Sequence, residues 1–252
     1  MKHIYSLHRL YLWLIAILMA LLIVSCDSGD IEEQGFSVES TGQSVKLTAT
    51  VTGLSAWKGG YNISLAGFSE GSNYAVMQRS IPTSTADGTQ VELVLNNLSG
   101  QVSTVEFAIT NNLRKRILTL ASINLQDYSE NIDTINIDMG QIDIRPFGSL
   151  QYGLFNKACI QCHGGNGRSA AGLNLTEGQA EKNLVDVSSA TREGMFRVVS
   201  GDASASLLHQ ILAEGGEGIL HYNHTEVLSS QFKENADEIR SLIDDWIENL
   251  PN

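Results

Sequence analysis

The residues best equipped for chemistry in this 252-residue chain lie together in Phe155-Asn156-Lys157-Ala158-Cys159-Ile160-Gln161-Cys162-His163-Gly164. Cys-x-x-Cys-His is the attachment pattern of a c-type haem. The spacing has a mechanical basis. On a helical turn, residues three apart share a face, so the sulfurs of Cys159 and Cys162 can reach the two vinyl groups of one porphyrin. His163 follows at once and brings an imidazole to the iron from the proximal side. The expectation is one haem c, with Cys159 and Cys162 as thioether anchors and His163 as proximal iron ligand. Three alternatives use the same residues. A thioredoxin-like redox pair would follow a strand in a βαβ unit and has no need of His163. Zinc could take Cys159, Cys162, His221 and His224, although zinc fingers usually place about three to five residues between their histidines, and His221-Tyr-Asn-His224 has two. A disulfide closing so short a loop would restrain almost nothing.

The N-terminus sets the compartment. Met1-Lys2-His3 and Arg9 precede an apolar run from Tyr11 to Val24, shorter than the roughly 20 residues of a membrane span. Ile23-Val24-Ser25-Cys26 closes it, as in a secretory signal. This ending resembles a lipobox, which implies removal of residues 1–25 and lipidation of Cys26. The protein would then be exported and lipid-anchored to the bacterial cell envelope, on its periplasmic face or at the cell surface. The alternative is an uncleaved anchor helix with Cys26 as a free thiol. Residues 26–34 read as an acidic tether. The acidic run behind the cysteine resembles the surface-export signals of Bacteroidota lipoproteins, and Asp133-Thr134-Ile135 is similar to the O-glycosylation motif of that phylum. Lipid and haem together account for all three cysteines, leaving no odd thiol in an oxidising compartment.

The whole chain carries a formal charge of −12; without Lys2 and Arg9 of the leader, 28 acids face 14 bases, or −14. Such a surface argues against nucleic acid and against electrostatic docking on anionic lipids, and would favour a basic redox partner.

Two segments of different periodicity must position these groups. Over 35–144, Val45, Leu47, Ala49 and Val51 alternate with polar residues, as do Val91, Leu93 and Leu95, then Val105, Phe107 and Ile109. Turn signals at Gly59-Gly60, Ala86-Asp87-Gly88 and Ser99-Gly100 separate the runs. Seven or eight short strands predict an all-β, immunoglobulin-like sandwich. Trp57 and Tyr61 flank Lys58-Gly59-Gly60 and could form a ligand loop or cap the sandwich core. Arg145-Pro146-Phe147-Gly148 breaks the strand pattern, and 145–252 follows a helical period. Leu150, Leu154, Phe155 and Ala158 lead into Cys159, a helix capped by Ser204 is expected over Ala205–Ala213, and a last one over Lys233–Leu250 carries Ile239, Leu242, Ile243, Trp246 and Ile247.

Cys-x-x-Cys-His-Gly, Gly172-Leu-Asn-Leu175, Ser200-Gly-Asp-Ala-Ser-Ala-Ser-Leu-Leu208 and Ile243-Asp-Asp-Trp-Ile247, in that order, resemble the planctomycete-type cytochrome c domain family. The corresponding family segments read roughly CxxCHG, GLRLD, PGDPxxSLL and LxxWI. The resemblance covers about Gln151–Leu250 and implies an all-α, class I cytochrome c-like domain after the sandwich. The family's Met-Pro-Pro segment, whose Met looks like the distal ligand, is replaced by Gly218-Ile-Leu-His221-Tyr-Asn-His224. Met195 lies on the wrong side of the Ser-Gly-Asp motif. His221 is therefore the expected distal ligand, with His224 as the alternative, or the iron is left open. His209, flanking an apolar stripe, is expected to be no ligand. Arg168, Arg192 and Arg197 are the available cations for haem propionates. The leading functional expectation is a membrane-anchored cytochrome that transfers electrons through one haem. The alternatives are a peroxidase-like enzyme with an open distal site, and a surface glycan- or protein-binding lipoprotein with an accessory haem domain.

Overall fold

In a computed structural model, residues 40–129 and 131–251 are described. The expected leader, the lipidated Cys26 and the acidic tether lie outside the described residues. Strand β1 (Ser44–Thr52) shows why this part is sheet: Val45, Leu47, Ala49 and Val51 are all buried while their neighbours are half exposed, as a pleat with one dry face requires. It pairs with β4 (Thr89–Leu95) antiparallel and β7 (Thr134–Asp143) parallel, setting Leu47 beside Leu93 and Ile137. A second sheet runs in the order β3 (Ala75–Ser80), β2 (Tyr61–Phe68), β5 (Thr104–Asn111), β6 (Arg116–Asn124), every pair antiparallel. Leu47, Leu65, Phe107 and Leu118 join the two sheets in one core.

The chain leaves β7 at Ile144, whose N–H donates to the Thr52 carbonyl at 2.9 Å. Helix α1 (Pro146–Leu150) starts there with its proline in the first turn, where a missing N–H costs nothing. A nine-residue π-helix, Gln151–Cys159, continues into α2 (Ile160–His163). The remaining helices are α3 (Ala180–Leu184), α4 (Leu207–Leu212), α5 (His224–Phe232) and α6 (Ala236–Glu248).

The expected immunoglobulin-like sandwich followed by an all-α class I cytochrome c-like domain is overturned. The described chain is mainly β, with seven strands in two sheets, and its helical part is small. Only α6, with 13 residues, exceeds nine. Between His163 and Leu207 the chain runs mostly through turns and isolated bridges, with α3 and one short 3-10 turn. Elements this short cannot close a core of their own. They lean on the sheet instead, and one continuous hydrophobic core takes in Leu118, Leu120, Leu154, Phe155 and Trp246. All the described residues fall in one compact unit.

The contact is close. A Cβ added at Gly153 would lie 2.6 Å from Leu118 Cγ, so only glycine lets the π-helix approach β6 this near. Lys157 donates to the Thr119 carbonyl at 2.6 Å, Asn73 donates to Glu234 at 2.7 Å, and Lys115 pairs with Glu238. Trp57 and Tyr61, 5.2 Å apart, brace the same junction: the indole donates to the Ile144 carbonyl and the phenol to Asp245. At the strand-to-helix exit, Gly53 has φ +90, and a Cβ there would meet Arg145 Cγ at 2.1 Å and Arg145 N at 2.8 Å. Gly53→Ala should therefore destabilise the protein by more than about 2 kcal/mol, from left-handed strain plus overpacking against backbone. A urea midpoint unchanged by this substitution would contradict the junction as described.

Candidate functional site

The π-helix and α2 deliver the cysteine motif. Leu154 and Phe155 are each only 1% exposed, which fixes the π-helix in the core one turn before Cys159. π-Turns are uncommon and recur at functional sites. Nothing in a 3.6-residue pattern signals this one. Cys159 ends it and Cys162 follows within α2; both are free thiols, Cys159 half-buried and Cys162 exposed. Burial, with a smaller contribution from Cys162, pushes the Cys159 thiol up to about 12. Redox-active cysteine pairs need the opposite, a stabilised thiolate.

Cys159, Cys162 and His163 share one cavity of about 660 Å³ with the apolar side chains of Phe155, Leu207, Leu208, Ile211 and Leu228. His221 and His224 reach the same cavity. The structure brings His163 and His224 together: their ring centroids are 6.3 Å apart and their planes differ by 23°. His163 Nδ1 is 3.1 Å from the Ala170 carbonyl, and His224 Nδ1 is 3.0 Å from the Tyr222 carbonyl. A carbonyl only accepts, so each ring carries its proton on Nδ1 and turns a lone pair out at Nε2. Burial lowers both imidazoles below the usual histidine range, against the opposing pull of those carbonyls. Neutral imidazoles are the form that binds metal. His221, by contrast, is exposed, and no hydrogen bond orients its ring among the described residues.

His224 owes its position to local structure. It is the first residue of α5, and the Asn223 side chain caps that helix by accepting from Glu226 N–H at 3.2 Å. The Thr225 hydroxyl donates to the Ile211 and Ala213 carbonyls, tying α5 to the end of α4. The Tyr222 ring stands edge-on to the imidazole at 5.4 Å. Asn223→Ala is expected to cost about 0.5–2 kcal/mol and to broaden the His224 ring resonances in NMR. Unchanged stability and line width would show that the cap does not hold this turn.

The other sequence candidates separate cleanly. Arg192 and Arg197 line the cavity, and Arg197 donates to the Asn183 and Ala171 carbonyls at 2.8 and 3.0 Å. Its guanidinium is thus anchored by neutral acceptors. Arg168 and Met195 do not line the cavity among the described residues. His209 pairs with Asp244 at 2.7 Å, joining α4 to α6. Among the described residues no group of three or more His, Cys, Asp or Glu side chains converges as a metal site. Sequence reasoning missed the Ala170 and Tyr222 carbonyls, which act through backbone and carry no residue-type signal. Among the described residues no helix is long and apolar enough to cross a membrane.

Comparison with known proteins returned no matching family model, curated protein or solved structure.

A covalently attached haem fits this donor set. The cavity falls within the about 300–1,000 Å³ of typical cofactor sites and is mostly apolar with a few placed polar groups. Two thiols, a neutral imidazole with an anchored Nδ1, and cationic side chains meet around one space.

Proposed function

We propose that the chain is a c-type cytochrome of the bacterial envelope, carrying single electrons through one haem joined to Cys159 and Cys162. The observation that carries this reading is the shared cavity of about 660 Å³, whose wall contains both thiols and His163. When bound, haem supplies a one-electron iron couple. The rest is the work of this chain's own residues. His163 would hold the iron of that group, its ring orientation set by the Ala170 carbonyl at Nδ1, and such anchoring raises ligand basicity. Arg192 and Arg197 provide cationic donors for carboxylates. Apolar side chains make up most of the wall. Cys162, being exposed, sets one edge of the site at the surface, where electrons can pass without any gate opening.

The remaining parts of the reading rest on sequence. The lipobox-like ending at Cys26 supports a lipid anchor and export, and the acidic balance supports a basic redox partner over nucleic acid. The sheets serve as the platform on which the π-helix is set. An optical redox titration of the purified holoprotein tests the proposal. One reversible single-electron couple is expected; absence of any reducible chromophore, after production in a host with haem-attachment machinery, would refute it.

A further inference from the structure

We propose that His224, and not His221, is the second axial ligand, so that the iron is held between two imidazoles and has no open coordination site. This deepens the haem reading and rests on it. A bond from imidazole to a first-row metal is about 2.0 Å, with the ring centre about 1.1–1.2 Å behind the nitrogen, so two imidazoles across one ion have centroids about 6.3 Å apart. His163 and His224 are separated by 6.3 Å, with nearly parallel planes. Both rings also have the tautomer a ligand needs: each Nδ1–H is committed to a backbone carbonyl, which leaves the lone pair of a neutral imidazole at Nε2. Two histidines, from α2 and α5, thus line one apolar cavity with the ring separation that a shared ion requires.

The competing donors lack these features. His221 is exposed and untethered, and Met195 is absent from the cavity wall. Saturation by two strong ligands separates this site from peroxidase chemistry, which needs an open iron position. It also implies a lower reduction potential than a Met/His haem would have.

The test uses holoprotein of the full chain, comparing the parent with His224→Ala and His221→Ala. Pyridine haemochrome first measures covalent haem, and ferric EPR and visible spectra then report spin state. The expected results are low-spin iron that resists cyanide in the parent and in H221A, and high-spin, cyanide-accessible iron in H224A. Added imidazole should return H224A to low spin, which distinguishes a lost ligand from a damaged fold. High-spin parent iron, or conversion by H221A and not by H224A, would overturn the assignment while leaving covalent haem in place. Lack of haemochrome in the parent would instead strike at the haem reading itself.

Discussion

Replacing Cys159 and Cys162 together by alanine should reduce covalently bound haem to background, as read by haemochrome after extraction of free haem into acidified organic solvent. The cavity would keep His163, His224 and its apolar wall, so reversibly bound haem is expected to remain detectable before extraction. Each single variant should retain one thioether. Cys159→Ala is expected to be the more damaging of the two, because Cys159 sits at the end of the π-helix, packed against the hydrophobic core, whereas Cys162 is exposed. Covalent haem surviving in the double variant would mean that the thiols have another purpose.

The second large effect concerns stability. Trp246 is 5% exposed, lies 5.0 Å from the Phe147 ring, and Phe147 in turn lies 5.9 Å from Phe155. This aromatic chain joins α6 to the π-helix. Trp246→Ala removes its largest member and should cost about 3–5 kcal/mol, the usual range for a large-to-small change in a core. Since helices and sheets share one core, thermal unfolding should stay a single transition shifted downwards. Leu118→Ala, on β6 beneath Gly153, should shift that same transition by about 2–5 kcal/mol. A melt in which the sheets survive after the helices are lost would contradict the shared core.

Much of this was readable in particular residues. The alternation of Val45, Leu47, Ala49 and Val51 gives β1, and the period of Ile239, Leu242, Ile243, Trp246 and Ile247, all buried, gives α6. Both patterns report which face is dry. Neither reports what covers it, and so the dependence of the helices on β6 stayed hidden. Leu118 and Gly153 look ordinary in sequence; only their approach in space makes one need the other. The expected helix over Ala205–Ala213 starts instead at Leu207. Asp202 accepts from Ser204 Oγ and Ala205 N–H, and the Ser206 hydroxyl turns back to Val199 N–H and the Asp202 carbonyl. Such side-chain bonds compete with the first helical turn. His221 and His224 were indistinguishable as residue types. What separates them is the Asn223 cap, which starts α5 at His224 and leaves His221 in the preceding loop.

Covalent attachment is the point on which the account stands, and the mass of the intact, denatured chain tests it most directly. Protein produced in a host with haem-attachment machinery should carry the added mass of one haem, localised by fragmentation to the peptide containing Cys159 and Cys162. Recovery of that peptide unmodified, with its thiols free or joined to each other, would contradict it.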